Sequence, residues 1–529
     1  MHDASLIFVL DAQLPFVRHP EEPGRMEESG YFTALSETYL PLLRSCTALE
    51  TGGIPFKLAI AFSPLLCEML ADPLLQQRYV DFLDRTIAFG ETELDRKDSD
   101  PERRAVVERQ LKRQKTNRHE FVEIYEKNIL KKFDYFATHG YMEILATTAT
   151  PCFLPLYVDI PEAINAQIET GLIIYRKHFT SVPAGFWLPA MAWKDGLEKV
   201  LKSYGFMYTL VDSHALLFAD PPPKTGIFSP AVCENGFSVF ARDTLACAAL
   251  AESGGIADRD VYLDVEHDIG FEYDEELLST LFSVELGRRK TGYCYHSRRK
   301  TGEGEPAVYR VDEAEACLDD VVSSFVHDRL AVLKKASKAL DDAPVTDVLA
   351  LPASFFGQEW HEGVLWFEKL ARYVAENGDL SLSLPFSRLS AQENERITTP
   401  YYSSWLPGGY AEEVLNSSND WMYPFVRKAT LRMIDLAERF PDDDSLKERA
   451  LNMAARELLL SQSMDWFLMM NRQDQGSYAR ERFEDSIRSF TVVYESLGSN
   501  FISTEWLTRT EKRDNFFPEI NYRVYSKRK

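Results

Sequence analysis

The chain has 529 residues, of which 45% are hydrophobic and 27% are charged, as in an ordinary globular protein. Its 82 acidic residues against 59 Lys and Arg give a net charge of −23. That acidity argues against binding to nucleic acid or to an anionic membrane surface. It is compatible with a neutral polysaccharide ligand but does not predict one. The length suits two or three domains, or one large barrel with additions.

The seven cysteines are dispersed, and none forms a Cys-x-x-Cys pair. This pattern disfavours a structural zinc site and is typical of reduced thiols in the cytoplasm. Residues 5–10 are too few for a signal-peptide core, and no apolar run has the length of a membrane span. We therefore expect a cytoplasmic protein without a metal site or a cofactor.

Short apolar runs bounded by turn residues predict seven buried strands. They are Leu6–Leu10, Lys57–Phe62, Met142–Thr147, Gly185–Leu188, Met207–Val211, Ser238–Phe240 and Asp347–Leu351. Helical stretches such as Ile160–Phe179 and Gly196–Tyr204 separate several of them. Strands buried on both faces that alternate with helices indicate an α/β fold with a parallel sheet.

Two further regions have helical character. Residues 95–133 are polar and basic, which favours an exposed helical insertion over a nucleic-acid site because acidic residues are interspersed. Residues 412–500 are rich in Leu, Met, Ala, Arg and Glu at helical spacing. We predict an α/β domain over 1–385 with a helical insertion at 85–135, and a helical C-terminal domain over 390–529. Residues 298–306 are interpreted as a loop.

One motif points to a family. The stretch Gly185-Phe186-Trp187-Leu188-Pro189-Ala190-Met191-Ala192-Trp193 resembles the Gly-x-Trp-Leu-Pro-Glu-x-x-Tyr motif of glycoside hydrolase family 57. Segments similar to the 1,4-α-glucan branching enzymes of that family follow in the same order along the chain: Phe8–Pro20, Glu37–Leu43, Phe62–Leu66, Asn235–Asp243, Ser403–Trp405, Arg456–Leu460 and Phe517–Arg523. The resemblance implies a distorted seven-stranded TIM-like (β/α) barrel, with its site at the C-terminal ends of the strands.

The catalytic positions of the family are altered here. A retaining glycosidase needs two carboxylates about 5–5.5 Å apart, one as nucleophile and one as acid/base. The resemblance puts the family's nucleophilic Glu at Ala190. It puts the family's acid/base Asp at Pro352, within Pro352–Gly363. Alanine cannot attack and proline cannot ionise, so we expect no catalytic residue at either position.

Other positions that match functional residues of the family have changed too. Family histidines correspond to Asp11, Gln13, Pro151 and Gln358. The segment Gly254–Asp258, which matches a Tyr-bearing loop of branching members, has no aromatic residue. These losses lie within well-matched flanks, which indicates a pattern and not an error of alignment.

Relocated carboxylates are the alternative. Asp11 and Glu359 are the fallback catalytic candidates, and Asp212 and Glu362 are further carboxylates near the matched motifs. The competing interpretation makes Glu359 and Glu362 solvated or helix-capping charges. Asp11 is the best single candidate because the end of a barrel strand faces the pocket.

Five residues are candidates for contacting sugar. Aromatic faces pack against the apolar faces of sugar rings, and a few polar groups orient the ligand. The resemblance places Trp405, Asp465 and Trp466 around the glucan cleft, and Trp187 and Trp360 belong to the two altered motifs. The alternative is that these tryptophans pack in the core without a ligand.

Three functional hypotheses follow. The first is a catalytically inactive family relative that binds α-glucan or an oligosaccharide, or scaffolds the enzymes of glycogen metabolism. The second is an active branching enzyme or α-glucan hydrolase with relocated carboxylates. The third is an interaction or regulatory protein whose partner is another protein. The first is favoured, which leaves the question of enzymatic activity open.

Overall fold

The computed structural model describes residues 4–22, 24–96, 100–302, 304–389, 397–442, 446–473, 475–499 and 501–527. The strands in these ranges are β1 (Ala4–Ala12), β2 (Leu58–Phe62), β3 (Met142–Thr147), β4 (Gly185–Trp187), β5 (Tyr208–Val211), β6 (Ala231–Val232), β7 (Ser238–Ala241), β8 (His296–Lys300), β9 (Pro306–Val308), β10 (Val345–Pro352) and β11 (Ser381–Leu382).

The α-helices in the same ranges are α1 (Glu28–Thr33), α2 (Leu40–Thr51), α3 (Pro64–Ala71), α4 (Pro73–Leu94), α5 (Pro101–His119), α6 (Leu130–Thr138), α7 (Pro161–His178), α8 (Leu197–Ser203), α9 (Ser213–Leu217), α10 (Thr244–Ala251), α11 (Ile269–Glu272), α12 (Glu275–Leu278), α13 (Val311–Ala339), α14 (Gly363–Asn377), α15 (Pro385–Leu389), α16 (Tyr423–Arg439), α17 (Leu446–Ser461), α18 (Met464–Arg472), α19 (Gly476–Ser499) and α20 (Thr504–Arg513).

The chain forms two compact units that do not follow chain order. The first unit contains residues 1–60, 70–143 and 243–388, and the second contains residues 61–69, 144–242 and 389–529. The domain boundaries predicted from the sequence stay a prediction.

In the first unit the strand order is β10-β1-β2, with β11 beside β1. Strands β1 and β10 run parallel, in a register that extends from Ala4 opposite Val345 to Asp11 opposite Pro352. Their apolar side chains are buried, and Phe8 meets Trp366 of α14 edge to face at 6.0 Å. Burial on both faces explains why the two strands have continuous apolar runs in the sequence.

The helical insertion belongs to this first unit. It consists of the end of α4, all of α5 and most of α6. Asp100 caps α5 by accepting a hydrogen bond from the backbone N–H of Glu102, and Pro101 occupies the first helical position, where no N–H is needed.

In the second unit the strand order is β3-β4-β5-β7-β6. Strands β3, β4, β5 and β7 run parallel, and β6 runs antiparallel to β7. Gly185 opens β4 directly against the ring of Tyr208, and a Cβ at this position would collide with that ring. Close approach of two strands is the physical reason for glycine at the start of the motif.

Helices α16 to α20 form the C-terminal part of the second unit. Helix α17 is buried along most of its length, including the charged residues Arg456 and Glu457. Asp514 follows α20 and forms ion pairs with Arg482, at 3.0 Å, and with Arg513, at 2.7 Å. The predicted helical C-terminal region is present.

All seven predicted strands are found, so the predicted α/β fold is confirmed. The interpretation of residues 298–306 as a loop was wrong at its two ends, because β8 ends at Lys300 and β9 begins at Pro306, and these two strands form an antiparallel hairpin around the connection. Its polar and charged side chains gave no apolar signal. Within the described ranges, no helix combines the length and apolarity needed to cross a membrane.

Candidate functional site

The altered nucleophile motif forms a tight turn at the end of β4 in the second unit. Ala190 has φ 56° and ψ 20°, and Met191 has φ 49°, so two successive residues without glycine's freedom adopt the left-handed region. Both side chains are fully buried. Such backbone strain persists only where the surroundings impose it, and it is concentrated at functional sites. The turn of the motif is therefore present, with a methyl group at the position that the resemblance assigns to the nucleophile.

A loop of the same unit holds this turn in place. The carbonyl of Ala190 accepts a hydrogen bond from the backbone N–H of Trp405 at 2.8 Å. Trp193 and Ser403 form an antiparallel bridge, and the loop reverses at Gly408 and Gly409, which have φ 86° and 83°. The two glycines allow a left-handed reversal after Trp405, in which the backbone N–H of Ser404 donates to the carbonyl of Gly409 at 2.7 Å.

Two tryptophans meet beside the turn. Trp187 and Trp405 pack edge to face, with ring centroids 5.2 Å apart. Trp405 is half-buried, whereas Trp187 is 1% exposed. The indole Nε1–H of Trp187 has no hydrogen-bond acceptor among the described residues. Trp405 therefore offers more surface to a ligand than Trp187 does.

A charged group borders Trp405. The guanidinium of Arg242 lies 5.6 Å from the Trp405 ring, and its Nε is 3.4 Å from Asp212 Oδ2. Asp212 Oδ1 lies 3.3 Å from His214 Nδ1, and His214 Nε2 is 3.0 Å from the carbonyl of Gly409. The hydrogen bond to Asp212 raises the pKa of His214, although burial opposes this. Asp212 therefore lies between Arg242 and His214, with one oxygen near each of them.

The C-terminal candidates Asp465 and Trp466 are enclosed within the second unit. Trp466 is 0% exposed, donates its Nε1–H to the carbonyl of Leu460 at 2.8 Å, and packs against Tyr478. Asp465 is buried at the start of α18 and accepts a hydrogen bond from Ser463 Oγ at 2.9 Å. These contacts account for both residues without a ligand.

The altered acid/base motif lies in the first unit, at the end of β10. Pro352 is exposed, and the half-buried Asp11 is its partner in the parallel register. Asp11 therefore lies beside the position of the family's acid/base. Downstream, Gly357 has φ 110°, and a Cβ there would collide with the carbonyl of Glu37. Gln358 Nε2 donates to Thr38 Oγ1 at 3.2 Å, so this position serves packing of the motif against residues 37 and 38.

The two glutamates of this motif differ in their surroundings. Glu359 is exposed and accepts a hydrogen bond from Ser354 Oγ at 2.6 Å. Glu362 is buried, and its Oε1 accepts from Tyr309 Oη at 2.7 Å and from the backbone N–H of Leu263 at 3.0 Å. Glu362 thus anchors two segments of the first unit. Its interpretation as a solvated or helix-capping charge was wrong, because it is buried and its side chain makes no capping hydrogen bond to α14.

Trp360 is fully enclosed in an aromatic cluster. It is 1% exposed and lies 5.6–5.7 Å from the rings of Tyr262, Phe355 and Trp366. Of the four predicted sugar-contacting tryptophans, Trp187, Trp360 and Trp466 are therefore buried, and Trp405 alone is half-buried. Their assignment to sugar binding stays a prediction, and it is best supported for Trp405.

Sequence reasoning missed the groups around Trp405. Arg242 and His214 were not among the candidate site residues. Arg242 belongs to the family-like segment Asn235–Asp243, and His214 lies two residues after the candidate carboxylate Asp212. The available signal was this position in the sequence, since the contact of Arg242 with the Trp405 ring forms only in the folded chain.

Family comparison agrees with this arrangement of motifs. A sequence model of glycosyl hydrolase family 57 matches residues 7–300, and one described as 1,4-alpha-glucan branching enzyme, C-terminal, matches residues 426–525. The chain belongs to glycosyl hydrolase family 57, which confirms the family predicted from the motifs.

Solved structures and a characterised relative are similar along almost the whole chain. The alpha-amylase AmyC from Thermotoga maritima is 31% identical with a TM-score of 0.92, and the match covers 100% of both chains. A family 57 branching enzyme from Pyrococcus horikoshii is 25% identical with a TM-score of 0.89, over 99% of this chain and 97% of that chain. A 1,4-alpha-glucan branching enzyme of Thermococcus kodakarensis is 25% identical over 97% of this chain and 77% of its own length.

Proposed function

We propose that this protein is a catalytically inactive, branching-enzyme-like member of family 57 that binds α-glucan. The observation that carries the proposal is the turn at Ala190. Its left-handed backbone and its backbone hydrogen bond to Trp405 are features of a turn shaped for a functional role, yet its side chain is a buried methyl group. Pro352 at the other altered position has no ionisable group either.

Loss of the nucleophile removes the covalent step. A retaining mechanism needs a carboxylate that attacks the anomeric carbon and a second group that protonates the leaving oxygen. Asp212 is engaged by Arg242, whose Nε lies 3.4 Å from its Oδ2, and by His214, whose Nδ1 lies 3.3 Å from its Oδ1. A carboxylate held in this way is suited to positioning its cations and not to attacking a sugar.

Glucan binding is supported by the surface beside the turn. Trp405 is half-buried, and the guanidinium of Arg242 supplies hydrogen-bond donors 5.6 Å from its ring. An aromatic face with a few polar groups is the chemistry that sugar rings require. Relatives along almost the whole chain include enzymes named for α-glucan, which makes a glucan the first ligand to test.

Binding to glycogen tests the proposal. The wild-type protein is expected to be retarded in a native gel that contains glycogen. Trp405→Ala should weaken this binding about tenfold or more, since truncating a central aromatic contact typically costs more than 1 kcal/mol. Trp506→Ala, at a half-buried tryptophan of α20, is the matched control and should bind as the wild type does. Equal mobility of the wild type with and without glycogen would contradict the proposal and favour a protein partner.

The second candidate is an active branching enzyme or α-glucan hydrolase with relocated carboxylates. The observation in its favour is the register of β1 and β10, which sets Asp11 beside Pro352. Glu359 is exposed after the same strand. Turnover of amylose that is abolished by Asp11→Asn or by Glu359→Gln would establish this candidate in place of the first.

A further inference from the structure

A large cavity lies against the helical insertion of the first unit. Its volume is about 710 Å³, within the range of roughly 300–1,000 Å³ that small-molecule sites occupy. Helix α5 contributes Arg109, Gln110, Lys112 and Arg113 to one wall, and His361 lies in the lining as well. Residues three and four apart share one face of a helix, so the spacing of 109, 112 and 113 directs these basic residues to one side.

The charges of this lining contrast with those of the chain. Four cationic residues, including Arg44 from α2, line the cavity together with one carboxylate, Glu108. The whole chain has a net charge of −23. Like charges at spacings of three and four, as at 109, 112 and 113, disfavour a helix. A helix face that keeps this arrangement is suited to an anionic ligand.

The cations of the lining differ in how firmly they are held. Arg44 pairs with Glu120 and Arg113 with Glu37, and the second pair is mostly buried, with side chains 14% and 10% exposed. Arg109 pairs with Glu315, but these side chains are 50% and 44% exposed. Exposed pairs are weak, so an anion could replace Glu315 as the partner of Arg109.

Lys112 is the least constrained of the four cations. It is exposed and forms no ion pair within the part of the chain that the structure describes. Together with Arg109 it provides two cationic groups on one face of α5. Guanidinium and ammonium groups both bind phosphate, the first through paired N–H donors and the second as a point charge.

Two polar groups in the same wall lack partners. Gln110 is 5% exposed, and its Oε1 has no hydrogen-bond donor among the described residues, although its Nε2 is bonded to the carbonyl of Cys294. The Nε–H of Arg113 likewise has no acceptor within the described residues. Buried polar groups are normally paired. The unpaired acceptor of Gln110 and the unpaired donor of Arg113 are three residues apart on α5, hence on one face of the helix. A hydroxyl group, which can both donate and accept, matches such a pair.

Apolar surface completes the lining. Val106 and Val311 contribute aliphatic side chains, and the ring of Tyr309 stands edge-on to that of His361 at 6.3 Å. An inorganic anion would leave this surface and most of the volume empty. The cavity therefore suits a ligand with a carbon skeleton as well as a charge.

We propose that this cavity binds a phosphorylated sugar, with the phosphate at Arg109 and Lys112 and sugar hydroxyls at Gln110 and Arg113. The site is formed by helices of the first unit and by the segments that include Tyr309 and His361, and it contains neither Ala190 nor Pro352. It goes beyond the proposed glucan binding and does not depend on it.

Calorimetric titration of the full chain with glucose 1-phosphate tests the proposal, with inorganic phosphate and glucose as parallel probes. Glucose 1-phosphate should bind more tightly than phosphate, and glucose should give no heat. The double variant Arg109→Ala/Lys112→Ala alters exposed residues and should weaken the affinity for glucose 1-phosphate about tenfold or more. Lys115→Ala, on the same helix but paired with Glu91, is the matched control and should change nothing.

Gln110→Leu separates recognition of the sugar from recognition of the charge. It should weaken glucose 1-phosphate binding and leave phosphate binding unchanged. No heat with glucose 1-phosphate, equal affinities for it and for phosphate, or an affinity unaffected by the double variant would each overturn the proposal. Glycogen retardation of the double variant should equal that of the wild type, so this result is distinguishable from failure of the glucan proposal.

Discussion

Asp347 should make the free energy of unfolding depend on pH. Its side chain lies on β10 and is fully buried, and burial together with the neighbouring Asp243 raises its pKa to about 7. Arg329 opposes the shift, with Nη1 3.6 Å from Asp347 Oδ2, but it also pairs with Asp243 at 3.2 Å. In the unfolded chain the pKa is about 3.9. Between these two pH values the folded protein keeps a proton that the unfolded chain has lost, so stability falls as the pH rises from about 4 to 7.

The shift of roughly three units corresponds to at most about 4 kcal/mol. Asp347→Asn is neutral at every pH and should remove this loss. Its free energy of unfolding relative to the wild type should therefore increase by up to about 4 kcal/mol between pH 4 and pH 8, as measured by urea denaturation at both values. Asp319→Asn, at an exposed carboxylate paired with Lys369, is the control and should show no such change. An equal difference between Asp347→Asn and the wild type at both pH values would refute the reasoning.

Two further predictions concern the second unit. Ala190→Gly should be about 1 kcal/mol more stable than Ala192→Gly when both are unfolded in urea. Both variants lose a buried methyl group, but Ala190→Gly also relieves the strain of a left-handed backbone. Equal free energies of unfolding would contradict a strained turn. Burial and Asp514 raise the pKa of Glu457 well above its usual value, so Glu457→Gln should change the thermal midpoint little. Asp514→Asn leaves Arg482 and Arg513 without their buried partner and should lower the free energy of unfolding by about 3–5 kcal/mol, with a matching fall in the thermal midpoint. A fall in the midpoint no larger than that of Glu457→Gln would show that this network contributes little.

The strands were predictable because burial on both faces leaves continuous apolar runs in the sequence. The prediction of strands failed where charged residues interrupt or replace the apolar run. Strand β10 begins at Val345, two residues before the predicted start at Asp347. A carboxylate in the sequence suggested the end of the apolar run, but Asp347 is buried within the strand near Arg329. The hairpin of β8 and β9 was missed because residues such as Arg298 and Lys300 resemble a loop.

The candidate site was predictable in position but not in detail. The sequence places Ala190 after a strand, as observed, but nothing in alanine or methionine predicts two left-handed residues. The burial of Trp187, Trp360 and Trp466 could not be predicted from the sequence either, because tryptophan is common both in cores and in sugar sites. The pairing of Asp212 with Arg242 and His214 depends on the meeting of separate segments, which local patterns do not reveal.

Prolonged incubation of the wild-type protein with amylose, followed by assays for α-1,6 branches and for new reducing ends, tests the central claim most directly. The proposed loss of catalysis predicts neither product at any time, because the resemblance assigns the two catalytic carboxylates to Ala190 and Pro352, which carry no carboxylate. Branches or reducing ends that accumulate in the wild type and disappear in Asp11→Asn would contradict it and show that the catalytic pair has been rebuilt elsewhere.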